Sequence, residues 1–101
     1  MAKIHVDFDR RRLIDFCRKW KITRMAFFGS VLRDDFRPDS DVDVLVTYAP
    51  GIDWSSYDYL AMREDIEALL GRPVDVVEEG TIRNPIKRRC IHENLEVVYE
   101  S

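Results

Sequence analysis

The sequence contains no apolar run near the roughly 20 residues needed to cross a bilayer, and its start, MAKIHVDFDRRR, lacks a signal-peptide hydrophobic region. No membrane association is expected, and the cytoplasm is the expected location. Cysteine is scarce. Cys17 and Cys90 lie far apart with no CxxC pairing, which argues against both a zinc site and a disulfide framework; both are expected to be reduced, mostly buried small hydrophobes. His5 and His92 are equally isolated, and neither has metal-ligand spacing. There is no GxGxxG fingerprint and no GxxxxGK[ST] loop, so dinucleotide-binding and P-loop chemistry are poorly supported. The formal net charge of -3 and the pI near 5.3 lack the broad positive field of a general DNA or RNA binder. No direct nucleic-acid binding is expected, although a local basic patch remains compatible with these values.

What is present is globular. Hydrophobic residues make up 46% and charged residues 35% of the 101 positions, enough to bury one modest core, so residues 1–101 are expected to form a single domain. FDRRRLIDFCRKWK places Leu13, Cys17 and Trp20 on one helical stripe. RMAFFG reads as a buried strand ending in a tight turn at Gly29, and SVLRDDF as a short helix begun by Ser30. A helix from about Ser56 to Leu70 is stopped by Gly71, and PVDVVEE reads as a strand. Asn84 followed by Pro85 marks an N-cap with proline in the first turn, predicting that PIKRRCIHEN is a helix with Ile86, Cys90 and Ile91 inward. LEVVYE is a last strand. Interleaved elements of this kind predict an α/β (α+β) fold, a mixed sheet of about four strands flanked by helices.

The most informative strand is DVDVLVTY. Its alternation sends Val42, Val44 and Val46 to one face and Asp41, Asp43 and Leu45 to the other. Two such carboxylates have alpha carbons about 6.6 Å apart, and at about 5 Å they repel by roughly 3 kcal/mol at an effective dielectric of 20. A cation between them is expected. Mg²⁺ fits, because it takes octahedral oxygen ligands and is usually completed by waters and substrate phosphates. Asp75, in the strand PVDVV, joins this face if the two strands pair, and three carboxylates suit a two-metal in-line displacement at phosphorus. Taken alone, each acid is equally compatible with a turn or a solvated strand face.

Gly29 and Ser30 stand between a buried strand and a helix, where backbone N–H groups favour an anion such as phosphate. Arg33, three residues on, is placed to reach the same phosphates; a plain N-cap and a solvated arginine account for these residues as well. The spacing adds specificity. Gly29-Ser30, ten intervening residues, Asp41-Val42-Asp43 and the downstream Asp75 together resemble the signature of the DNA polymerase β-like nucleotidyltransferase superfamily. The run FFGSVLRDDFRPDSDVDVLV and the ending IRNPIKRRCIHENLEVVYES are similar to the minimal nucleotidyltransferase (MntA-type) antitoxins, over nearly the whole chain.

The resemblance implies a nucleotidyltransferase fold and a cytoplasmic enzyme that silences a HEPN-domain ribonuclease toxin by moving AMP from ATP to a toxin tyrosine. It implies that Gly29 and Ser30, with Arg33 in a supporting role, hold the triphosphate, and that Asp41, Asp43 and Asp75 bind Mg²⁺, two ions in all. It further implies a protein partner, the cognate toxin, and a hetero-oligomer with it. Two other readings fit the same residues: an antitoxin that inhibits by occlusion alone, and a nucleotidyltransferase acting on a small-molecule or RNA acceptor. The basic clusters Arg10–Arg12 and Lys87–Arg89 are either solvated helix faces or surfaces for an acidic partner. Trp54, Tyr57 and Tyr59 are either core and rim aromatics or an acceptor-binding edge.

Overall fold

The computed structural model describes residues 6–32, 41–81 and 83–101, with the side chain of Ser30 also outside the description. Helix α1 (Arg10–Lys19) begins at Asp9, whose Oδ1 accepts from the amides of Arg11 at 2.9 Å and Arg12 at 3.3 Å, satisfying donors that the first helical turn leaves unpaired. Strand β1 (Ile22–Phe28) follows. It begins two residues earlier than the apolar run RMAFF indicates, because Ile22 pairs with Tyr48 across the sheet. Gly29–Leu32 forms a 3-10 turn, and the remainder of the helix expected over SVLRDDF lies outside the described residues. Strand β2 (Val42–Tyr48), helix α2 (Ser56–Leu70), strand β3 (Val74–Glu78), a 3-10 turn over Glu79–Thr81, helix α3 (Pro85–Glu93) and strand β4 (Leu95–Glu100) complete the order.

Local chemistry sets the boundaries of the later helices. Ser55 and Asp58 form a reciprocal capping box at the start of α2, and Gly71 ends it at φ 70°, a left-handed conformation that glycine adopts without steric cost. Asn84 Oδ1 accepts from Ile86 N at 2.9 Å and Lys87 N at 3.3 Å, with Pro85 in the first turn of α3. The four strands lie in the order β3-β2-β1-β4. β1 is antiparallel to β2 and β4, while β2 and β3 are parallel and joined through α2.

Val42, Val44 and Val46 turn to the same side as Met25 and Phe27, and all are buried with Leu13, Phe16 and Cys17 of α1 and Met62, Ile66 and Leu70 of α2. α1 and α2 therefore cover one face of the sheet. They are tied at the rim by Asp65, which accepts from Lys19 Nζ at 2.8 Å and Trp20 Nε1 at 3.0 Å. The lysine bond, opposed by burial and aided by smaller effects of the indole bond and the lysine charge, holds this carboxyl below its usual range. Trp54 packs edge-on against Trp20 with centroids 5.4 Å apart and donates to Trp20 O at 3.2 Å, which makes it a core-rim residue. Tyr59 OH donates to Val76 O at 3.4 Å, whereas Tyr57 is 86% exposed.

Two expectations about burial are corrected. Ile86 is 74% exposed and Cys90 is exposed; of the inward set proposed for α3, only Ile91 is buried. The helical period gives α3 an apolar stripe, but only its C-terminal part meets other residues. Cys17 is fully buried, its Sγ 3.7 Å from Met25 Sδ. In the folded protein a thiol reagent is therefore expected to label Cys90 within minutes and Cys17 only on unfolding, as peptide mapping after timed quench checks.

Burial pushes the Cys17 thiol from 9.0 up to about 12. Burial, with smaller contributions from Glu78 and Tyr59, likewise pushes the Tyr48 hydroxyl from 10.0 up to about 12. Both groups are uncharged when protonated, and the folded chain holds the proton more tightly than the unfolded one. The resulting stability is complete below about pH 9 and is lost as pH rises from there through about 12. The urea midpoint is expected to fall steadily over that alkaline window, and a Tyr48→Phe, Cys17→Ala double variant should show a shallower fall.

Candidate active site

The second face of the sheet carries the acids. Parallel pairing of β2 and β3 sets Asp43 opposite Asp75, next to the Val42–Val74 and Val44–Val76 pairs. Register partners in adjacent strands lie about 4.8 Å apart and point to the same side, so the two carboxylates are neighbours. On the other flank of β2, Phe28 is the partner of Asp43, which brings Gly29 to the same end of the sheet. Asp41 directly precedes β2, and the two-residue strand period offers it to the side of Asp43. Asp43 is half-buried, while Asp41 and Asp75 are exposed.

Gly29 has φ 77°, in the left-handed region that disfavours any residue with a Cβ. A Cβ there would run into Asp43 Oδ2. The glycine turn and the carboxylate are thus packed directly on one another, and the two hydrogens of Gly29 are what allow it. Sequence spacing pairs Gly29-Ser30 with Asp41-Asp43 only as a pattern; their contact comes from the antiparallel β1–β2 register. Arg33, the residue expected to support the phosphates, lies outside the described residues, and for Ser30 only the backbone is described, within the 3-10 turn.

Among the described residues no group of three His, Cys, Asp or Glu side chains converges on a single metal position. The backbone brings Asp43 and Asp75 together at one end of one face, with Asp41 two residues away along the strand. The donor set on offer is carboxylate only. Hard oxygen donors of this kind fit Mg²⁺ and not the thiolate or imidazole sites of zinc, so the residues are chemically suited to a phosphate-bridging cation.

Beside the glycine turn lies a cavity of about 680 Å³, which sequence reasoning did not identify; Phe28, Gly29 and Leu32 form one wall, and Lys87, Ile91 and Leu95 belong to α3 and the start of β4. Its size is within the ordinary range for small-molecule sites. No sequence signal predicts it, because it forms between α3 and a turn more than fifty residues earlier in the chain.

A glycine turn packed against a carboxylate strand, with a second acid on the parallel neighbour, is an arrangement suited to holding a polyphosphate and a divalent cation together. A family model described as the nucleotidyltransferase domain matches residues 10–98. The chain belongs to the nucleotidyltransferase domain family. Among relatives of this nucleotidyltransferase, the protein adenylyltransferase MntA of Thermococcus cleftensis is 31% identical over 83 residues, which are 80% of this chain and 77% of that one. A solved structure of a candidate minimal nucleotidyltransferase is 31% identical, with a TM-score of 0.69 and 86% of each chain covered. A crystal structure of a toxin–antitoxin with AMP-PNP superposes with a TM-score of 0.72, covering 92% of this chain and 74% of that one. At 17% identity this last likeness speaks to fold. The four-stranded mixed sheet with three α-helices is the minimal nucleotidyltransferase fold, as expected, and the chain is a transferase of nucleotidyl groups.

Proposed function

We propose that this nucleotidyltransferase is an antitoxin that transfers AMP from ATP to a tyrosine of a cognate HEPN ribonuclease toxin and so neutralises it. The observation that carries the reading is the direct packing of Gly29 on Asp43, with Asp75 paired beside it. The identity to a protein adenylyltransferase and the shared fold of a toxin–antitoxin complex with AMP-PNP support the acceptor class and the donor. Residues 1–101 act as one domain, in the cytoplasm, in a hetero-oligomer with the toxin and without binding nucleic acid directly.

In this reading Gly29 and Ser30 hold the triphosphate with backbone N–H groups, and Arg33 adds a charge-assisted hydrogen bond. Asp41, Asp43 and Asp75 hold Mg²⁺, which when bound neutralises the triphosphate and polarises the phosphorus that is attacked. Asp75, on the edge strand β3 of the four-stranded sheet and exposed, faces the incoming tyrosine and takes its hydroxyl proton. The tyrosine oxygen forms a bond to the alpha phosphorus, and the bond from that phosphorus to the bridging oxygen breaks, with its electron pair leaving on pyrophosphate.

Purified protein incubated with a co-encoded HEPN toxin, Mg²⁺ and ATP is expected to add whole AMP units to the toxin by intact mass. Tandem mass spectrometry should place them on tyrosine. Toxin that stays unmodified yet inhibited would replace this reading with occlusion, and label appearing on RNA or a small molecule without toxin would replace the acceptor. An Asp75→Asn protein with unimpaired transfer would remove the proton-accepting role from that residue.

A further inference from the structure

The three consecutive basic residues of α3 are not equivalent. Arg88 pairs with Glu79 of the 3-10 turn after β3 at 3.7 Å, and Arg89 pairs with Glu93 at 3.7 Å. Lys87 forms no ion pair among the described residues, and it lines the cavity whose other wall is Gly29. Lys87, Cys90, Ile91 and Asn94 share one side of α3 by helical period, and all four line that cavity. Lys87 stands at the far end of this stripe, about 10 Å along the axis from Asn94, where the chain turns into β4 beside Phe28. A pyrophosphate group and one lysine side chain bridge such a distance.

Strand order gives the direction. Across the sheet the sequence is Asp75 on β3, Asp43 on β2, Gly29 at the end of β1, and then β4 with the cavity beneath α3. In-line displacement places the attacking and leaving oxygens on opposite sides of the reacting phosphorus. With the acceptor on the Asp75 side, the leaving group emerges on the Gly29 side, toward the cavity.

We infer that Lys87 is the cation that receives the pyrophosphate half of the donor, binding the beta and gamma phosphates of the triphosphate and the pyrophosphate released from it. This rests on the nucleotidyl-transfer reading above. Glu93 and Glu96 line the same cavity. Arg89 compensates Glu93, but the charge of Glu96 opposes a polyanion, so retention of one there depends on Lys87. A lysine ammonium suits this role as a compact point charge with three donors, able to follow the phosphates as the bond breaks.

The test uses the full chain and titration calorimetry with Mg²⁺ present, comparing pyrophosphate, ATP and AMP as ligands. Lys87→Met is expected to weaken pyrophosphate and ATP binding by tenfold or more and leave AMP binding unchanged. Lys87→Arg should restore most of the loss, and Arg18→Met, an exposed position on α1 away from the cavity, should have no effect. Lys87→Met binding pyrophosphate and ATP within twofold of the unmodified protein overturns the assignment, as does an equal loss for AMP, which would move Lys87 to the nucleoside side. An unmodified protein that binds neither ATP nor pyrophosphate overturns the reading of the site itself, whereas unchanged Lys87→Met binding beside an active parent overturns this inference alone. Because Lys87 is exposed, urea midpoints of the variants should coincide.

Discussion

Asp43→Asn is expected to lower nucleotide transfer by about a thousandfold or more in a protein that stays folded. The carboxylate removed belongs to the set offered to the cation, and cation stabilisation of the charged transition state is worth several kcal/mol; a loss of about 4 kcal/mol is about a thousandfold in rate. The fold is kept for a separate reason. Asp43 is only half-buried, on the face of β2 opposite the valines, so an amide of the same shape leaves the apolar core intact. Asp41→Asn should act in the same direction. Single-turnover label transfer, run beside urea unfolding of the same preparations, checks both statements. Transfer within tenfold of the unmodified protein would take these carboxylates out of the mechanism.

Gly29→Ala is expected to lose transfer by a similar factor and stability by about 1–3 kcal/mol, the cost of holding a residue with a Cβ in the left-handed region. The added methyl meets the Asp43 carboxylate, so the carboxylate must swing away from its place beside the turn. Gly71 provides the control. Its φ is 70°, close to the 77° of Gly29, but nothing lies within 4 Å of a Cβ built there. Gly71→Ala should therefore cost comparable stability and keep transfer nearly intact. If the two alanine variants lose activity alike, the Gly29 effect is one of folding, and the packing of turn on carboxylate has no special part in catalysis.

The strands and helices were legible where local chemistry decides them. Alternation in DVDVLVTY gave the buried valine face, Asn84-Pro85 gave the start of α3, and Gly71 gave the end of α2. The same local rules misplaced Ile86 and Cys90, because a periodic apolar stripe says which side of a helix is greasy and not whether another element covers it. Gly29, Asp41, Asp43 and Asp75 were legible as a spacing pattern. The approach of Gly29 to Asp43 and the pairing of Asp43 with Asp75 were not fixed by it, since the β1–β2 and β2–β3 registers depend on partners distant in the chain. The cavity under α3 and the pairing of Arg88 with Glu79 had no sequence signal; only Arg89, four residues before Glu93 on the same helix, could be paired from spacing.

The parallel pairing of β2 with β3 also governs when the site comes into being. β2 begins at Val42, 14 positions after β1 ends at Phe28, whereas β3 begins at Val74, 26 positions after β2 ends at Tyr48, and is held by Val42 N donating to Pro73 O at 3.0 Å and Val74 N to the Glu67 side chain at 2.9 Å. Contacts separated by more chain carry the larger loop-closure cost and form more slowly. A refolding chain therefore brings the glycine turn to Asp43 before Asp75 joins them. Recovery of transfer should lag the pairing of β1 with β2, making the enzyme silent until the sheet extends to β3.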